Sequence, residues 1–358
     1  MRFIRKTHYS QDINMFAHGG QVFWYSLLAL LVLTAPLWVN RFLLGEFSQL
    51  FIYAIAGVGL MLLVGYTGLV SLGHAAFLAI GAYVHAWLLG QGVPWLVAIS
   101  GATVFSAVIG ALIGLPALRM TGLYLAVATL AFAVIVEQVI VHWESVTGGF
   151  GGMAVPQATF AGLQLESPMT FYFTCAAALL LSILAARNLL RTPTGRSMVA
   201  VRDSETSAQS MGVNIARTKT LAFAVSAAFA GLAGALFSHR IGYLAPDAFT
   251  LNTSIQLLLM VVVGGLGSLH GVLFGAIFIV LLPQGLAILR DNLPAAIGSI
   301  PGLEPGVFGL LLILFLIFEP DGLYGRWLKI RRYFEDFPLY RKATYKRQRR
   351  FLRTERLK

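Results

Sequence analysis

The chain has 358 residues, 58% of them hydrophobic and only 11% charged, with a formal net charge of +11. A water-soluble fold of this composition would lack the polar surface to cover itself, so the sequence describes a polytopic membrane protein and excludes a soluble enzyme or binding module. The single cysteine, Cys175, rules out an intrachain disulfide and is expected as a small packed core residue.

In chain order, residues 1–21 form a polar N-terminal segment, expected to be cytoplasmic. The apolar run from Val22 to Val39 is long enough to span a bilayer, and "LWVN" is a poor small-residue cleavage site, so it is expected as a retained first helix rather than a signal peptide. Apolar runs between charges and turn residues then give candidate spans at 22–39, 49–64, 75–90, 94–116, 122–142, 169–187, 220–238, 252–266, 271–289 and 305–320. The fold class is therefore all-α, with about ten transmembrane helices, some of them too short to cross alone and expected to be discontinuous. Trp24, Trp38, Trp87, Trp95 and Trp143 fall at span ends, where the amphipathic indole prefers to sit, and Trp327 follows the last span.

Basic residues set the orientation, because they collect in short cytoplasmic loops. With both termini inside, only Arg41, Arg240 and Arg290 of the 26 Lys and Arg face outward. The chain divides into the N-terminal segment 1–21, a transmembrane domain 22–320 and a basic cytoplasmic tail 321–358. That tail carries thirteen basic residues against Asp321, Glu335, Asp336 and Glu355. Next to a membrane helix, attraction to anionic lipid or an acidic surface is expected there, and not nucleic acid.

Two polar, glycine-rich stretches interrupt apolar chain: "GYTGLVSLGHAAF" from Gly65 and "GGLGSLHGVLF" from Gly264. Both contain Gly-Leu-x-Ser-Leu, at Gly68–Leu72 and Gly265–Leu269. Broken backbone at membrane depth is tolerated only where protein or water covers it, and it is a pointer to a translocation path. Gly68, Ser71, His74, Gly265 and Ser268 are accordingly candidates for that path, with close helix packing as the alternative for the glycines. His74 either makes a hydrogen bond in the core or touches solute. Glu137 joins the candidates, because a charge within a spanning helix costs about 2.5–3.5 kcal/mol unless it faces protein or water. His85, in the third span, is expected to reach the interface. The segment "TGGFGGM" (147–153) is read either as lining an outer mouth or touching an external binding protein, or as a mobile loop.

The inner loop Arg191–Lys219 has the features of a docking element. Thr194 is expected to cap a short helix carrying Met198, Val199 and Val201, and Asp203 or Ser204 a second one ending at Gly212. The chain contains no G-x-x-x-x-G-K phosphate cradle and no Cys/His metal pattern, so no cofactor or metal is expected in it. Any ATP that drives it must be hydrolysed on another chain.

Taken together, "GYTGLVSLGHAAFLAIGAY" (65–83), "RMTGLYLAVATLAF" (119–132), "WESVTGG" (143–149), "TGRSMVAVRDSETSAQSMGVN" (194–214), "AFAVSAAFAGLAGAL" (222–236), "GGLGSLHGVLFGA" (264–276) and "FEPDGLYG" (318–325) resemble the LivM-type permease subunits of branched-chain amino acid ABC importers. The resemblance implies a non-enzymatic permease of the bacterial inner membrane. It also implies a homologous second permease, two ATP-binding subunits carrying ATP and Mg, and an external solute-binding protein. The loop 191–219 would then couple to the ATPase, with Met198, Val201, Arg202 and Glu205 as candidate coupling residues in its first part, and Ala208, Met211 and Gly212 in its second. Two departures limit the transfer. Glu205-Thr206-Ser207-Ala208 stands where the widespread loop pattern has Glu-Ala-Ala…Gly, so no particular ion pair is carried over for Glu205. Val134 and Glu137 occupy positions where the family commonly has a glutamate and an arginine. The related urea or amide permeases share much of the pattern. A stand-alone ion-coupled transporter would leave the two cytoplasmic helices without a role, and an intramembrane enzyme using His74 or Glu137 lacks a nucleophile with a second oriented group.

Overall fold

The structure, a computed structural model, describes residues 19–118, 120, 122–157, 159–160, 163–164, 167–291, 303–319 and 322–335. The segment before Gly19 and the tail beyond Glu335 lie outside the described residues. In chain order the helices are α1 (Gly19–Trp38), α2 (Arg41–Leu60), α3 (His74–Gly90), α4 (Trp95–Ala117), α5 (Leu123–His142), the single turn α6 (Glu144–Thr147), α7 (Pro168–Arg191), α8 (Pro193–Asp203), α9 (Glu205–Ser210), α10 (Ile215–Ile241), α11 (Leu251–Gly264), α12 (Leu269–Asp291), α13 (Leu303–Phe318) and α14 (Gly322–Glu335). Strands among the described residues are two-residue pairings: β1 (Met153–Ala154) with β4 (Tyr243–Leu244), and β2 (Thr159–Phe160) with β3 (Leu163–Gln164).

The chain is an all-α, multi-pass membrane protein. Seven described helices are long and apolar enough to cross a bilayer, and the apolar parts of α1, α3 and α13 are shorter. Each expected apolar segment coincides with one of these helices, but several boundaries move. The second segment reaches back to Arg41 and runs on through a π-helical turn, Met61–Gly65, so it is 25 residues long rather than short. The seventh gains a turn at each end, spanning Ile215–Ile241.

α10 is the centre of the bundle, packed against α4, α3 and α2. Its face of Ala222, Ala227, Ala230, Gly231, Ala233 and Gly234 is fully buried. Small residues let neighbouring backbones approach closely, which is how helices associate where lipid removes the hydrophobic drive. A methyl group on Gly234 would collide with the carbonyl of Leu78 on α3, and one on Gly81 would collide with the backbone of Gly231.

The helix ends expected to face outward carry polar contacts that the sequence did not suggest. Arg240, expected in an outer loop, closes α10 and pairs with Glu46 of α2 at 3.4 Å, while Gln284 of α12 donates to the same carboxylate at 3.3 Å. His85, expected to reach the interface, is enclosed by protein. It is fully buried, with Nε2 2.9 Å from His239 Nε2, to which Trp95 also donates at 3.2 Å. Nor is the glycine-rich segment 147–153 a free loop. Thr147 donates to the Ile140 and Trp143 carbonyls, Met153 pairs with Leu244, and the Tyr243 hydroxyl donates to the Gly151 carbonyl.

Candidate site for translocation and coupling

The first glycine stretch begins where the π turn ends. Tyr66 N–H still bonds Met61 C=O, and the Thr67 hydroxyl donates to Leu62 C=O. From Gly68 the backbone is no longer helical until α3 starts at His74. Gly68 and Leu69 N–H bond the Val64 and Leu63 carbonyls of the turn before, whereas Leu72 donates to Thr129 Oγ1 of α5 at 3.0 Å, and Ala75, in the first turn of α3, to Ser254 Oγ of α11 at 3.0 Å. Ser71 Oγ accepts from Gly73 N–H. Ser254 lies ten residues before the end of α11, about 15 Å of helix, so the chain climbs without helix well into the bundle before α3 begins. Past the exposed Gly68 this non-helical backbone is buried or partly buried by protein, as the membrane requires.

The second stretch is a tight turn. Gly265 and Gly267 have φ of 113° and 81°, conformations that other residues rarely adopt, and Ser268 caps α12 by accepting from Gly271 N–H at 3.3 Å. It does not interrupt a helix; it joins the packed pair α11 and α12. The two stretches meet, since Gly267 N–H lies 3.2 Å from Met61 Sδ, and a methyl on Gly65 would collide with Gly267 N.

The path candidates therefore separate. Gly68, Gly265 and Ser268 belong to the joined turns. Ser71 and His74 are fully buried above them, and His74 Nε2 lies 3.2 Å from the Ala56 carbonyl of α2, a hydrogen bond within the core. Glu137 stands apart on α5, half-buried beside a narrow crevice formed with Ala76 and Ala79 of α3 and with Pro246 and Phe249. His142 bonds the Gln138 carbonyl of its own helix.

The loop after α7 folds into two short helices, with one corrected cap. Thr192, not Thr194, accepts from Gly195 N–H, because Pro193 takes the first helical position, where its missing N–H costs nothing. Ser204 caps α9, and Gly212 ends it at φ 84°. Met198, Val201 and Ala208 are buried against the bundle, whereas Met211 is 87% exposed at the tip beside the exposed Gly212. Glu205, for which no partner could be assigned, pairs with Lys219 of α10 at 2.8 Å; the lysine side chain is 0% exposed and the glutamate 39%. Arg202 is turned inward, donating to the Gly65 carbonyl at 3.0 Å.

Sequence reasoning missed Thr129, Ser254, Thr192 and Lys219. Ser254 and Thr129 are polar residues inside apolar runs, which was a usable signal. Their partners lie 179 and 57 residues away and were not readable.

A helical membrane protein with non-helical backbone inside the bundle, and a helix pair fixed at one end of it with one exposed apolar tip, has the layout of a multi-pass permease. Residues 42–316 match the family described as branched-chain amino acid transport system / permease component, and the chain belongs to that family of ABC importer permeases. The chain is 33% identical to the high-affinity branched-chain amino acid transport system permease protein LivM of Salmonella typhimurium over 83% of its length and 74% of that protein. It is 34% identical to LivM of Escherichia coli over the same shares. A probable LivM from Methanocaldococcus jannaschii is 29% identical over 66% of the chain and 69% of the relative. No solved structure matches.

Proposed function

We propose that this chain is one of two permeases in an importer that carries branched-chain amino acids inward across a bacterial inner membrane. Solute arrives on an external binding protein, and two partner chains hydrolyse ATP below. In this reading the chain crosses the membrane ten times with both termini cytoplasmic, and the basic tail lies against anionic lipid. The α8–α9 hairpin docks in a groove of the nucleotide-binding chain, and the path runs beside the non-helical stretch 68–73, between α3, α5 and α11. Leucine, isoleucine and valine are the proposed solutes because the relatives in Salmonella typhimurium and Escherichia coli are named for that class.

The observation that carries the proposal is the contrast within the hairpin. Its inward residues Met198, Val201 and Ala208 are buried, while Met211, large and apolar, is left almost fully exposed. An exposed methionine at the tip of a well-fixed element suits a partner's apolar groove. The experiment is purification of the complex from native membrane with Met211→Cys (Cys175 replaced by Ala) and a short thiol crosslinker. A crosslink to an ATP-hydrolysing chain is expected. Uptake of leucine by the purified chain alone in liposomes, without ATP, would overturn the assignment.

A further inference from the structure

Arg202 does something different from the other residues of the hairpin. Its Nε and Nη2 donate to Asp203 Oδ1 at 3.1 and 3.0 Å, which locks the guanidinium in one orientation. The remaining nitrogen, Nη1, donates to the Gly65 carbonyl at 3.0 Å. Gly65 closes the π turn of α2, and the last carbonyls of a helix lack partners along the chain and favour a cation. The first glycine turn also lies against the arginine stem, since a methyl on Gly68 would sit 3.1 Å from Arg202 Cγ. The second turn faces the same guanidinium, and a methyl on Gly267 would sit 3.5 Å from Nη1. One side chain from the hairpin thus bonds the first glycine stretch and lies beside the second where they meet.

We propose that Arg202 is a positioning residue: the strut that makes the docking hairpin and the paired glycine turns move as one body. The inference rests on the proposal that α8–α9 receives the ATPase. A displacement of α8 then pulls on the end of α2 and on the α11–α12 turn together, through a planar fork that holds its direction. Lysine cannot reproduce this, because one ammonium on a flexible stem cannot hold Asp203 and the Gly65 carbonyl in a fixed geometry. The glycines fit the same account. At Gly68 and Gly267 the positive φ disfavours any other residue, and at Gly68 a methyl would also press on the arginine stem at 3.1 Å.

The test measures leucine moved per ATP hydrolysed by the assembled importer in proteoliposomes, for wild type, Arg202→Gln and Arg202→Lys, each also carrying Met211→Cys to report docking by crosslink. Loss of a charge-assisted hydrogen bond at the joint is expected to lower the ratio about tenfold in R202Q, with R202K falling between it and wild type. The docking crosslink is expected to persist in both variants. A wild-type ratio in R202Q with the crosslink retained would overturn the strut. Should R202Q fail to assemble, R202K decides: a lowered ratio supports the proposal and an unchanged one overturns it. Absence of the crosslink in the wild-type background would instead remove the docking assignment on which the strut depends.

Discussion

At the scale of single residues, the contact between Glu205 and Lys219 makes the clearest demand. The lysine side chain has no exposed surface and its ammonium lies 2.8 Å from the carboxylate, where α9 meets the start of α10. Removing the carboxylate strands the ammonium, which in a closed interior costs several kcal/mol. Glu205 is 39% exposed, so water screens part of that cost, and Glu205→Gln is expected to destabilise the protein by about 1–3 kcal/mol. Thermal unfolding in detergent checks this, and E205Q combined with Lys219→Met should recover most of the loss because no buried charge then remains. The residue type at Glu205 was legible as a helix-start acid, but its partner was not. The loop departs from the common family pattern at that position, and Lys219 reads in sequence merely as the last basic residue before an apolar helix. Similarly, the cap at Thr192 was displaced from Thr194 by a local rule: the proline that follows Thr192 fixes the start of α8 there.

At the scale of elements, the sequence marked both glycine stretches as departures from continuous helix, and composition alone supported that much. What it could not give was how they differ. The first is a non-helical entry tied to α5 through Leu72 N–H, leading into an α3 whose first turn is tied to α11 through Ala75 N–H; the second is a compact turn closed by Ser268. Long-range hydroxyl partners leave no local pattern, since an isolated threonine or serine in an apolar helix more often bonds its own preceding turn, as Ser48, Ser182 and Ser238 do here. Thr129→Val removes the acceptor of the part-buried Leu72 N–H just before α3, and Ser254→Ala that of the buried Ala75 N–H in its first turn. Each is expected to cost about 1–3 kcal/mol in thermal unfolding, while T129S and S254T, which retain the hydroxyl, stay close to wild type. If T129V and S254A unfold like the wild type, water rather than protein satisfies those N–H groups, and the stretch is wetter than its burial indicates.

At the scale of the whole molecule, the order of apolar segments was readable because each helix must be long and apolar enough for lipid, a constraint written continuously along the chain. How the helices pack was not, because small residues that let α10 touch α2, α3 and α4 look the same in sequence whether they face protein or lipid. Orientation stands between the two. It follows from where Lys and Arg collect, and it makes opposite predictions for the two ends of the bundle. Gln91, between α3 and α4, and Phe150, 77% exposed after α6, should face outward, whereas Met211 should face the cytoplasm. Replacing the buried Cys175 by Ala and introducing one cysteine at each position in turn allows labelling of intact cells with a membrane-impermeant maleimide. Positions 91 and 150 should label directly in cells with a permeable outer envelope, and position 211 only after the membrane is opened. Labelling of 211 from outside would invert the chain, placing the α8–α9 hairpin and the Arg202 joint on the side where no ATP-hydrolysing subunit can reach them.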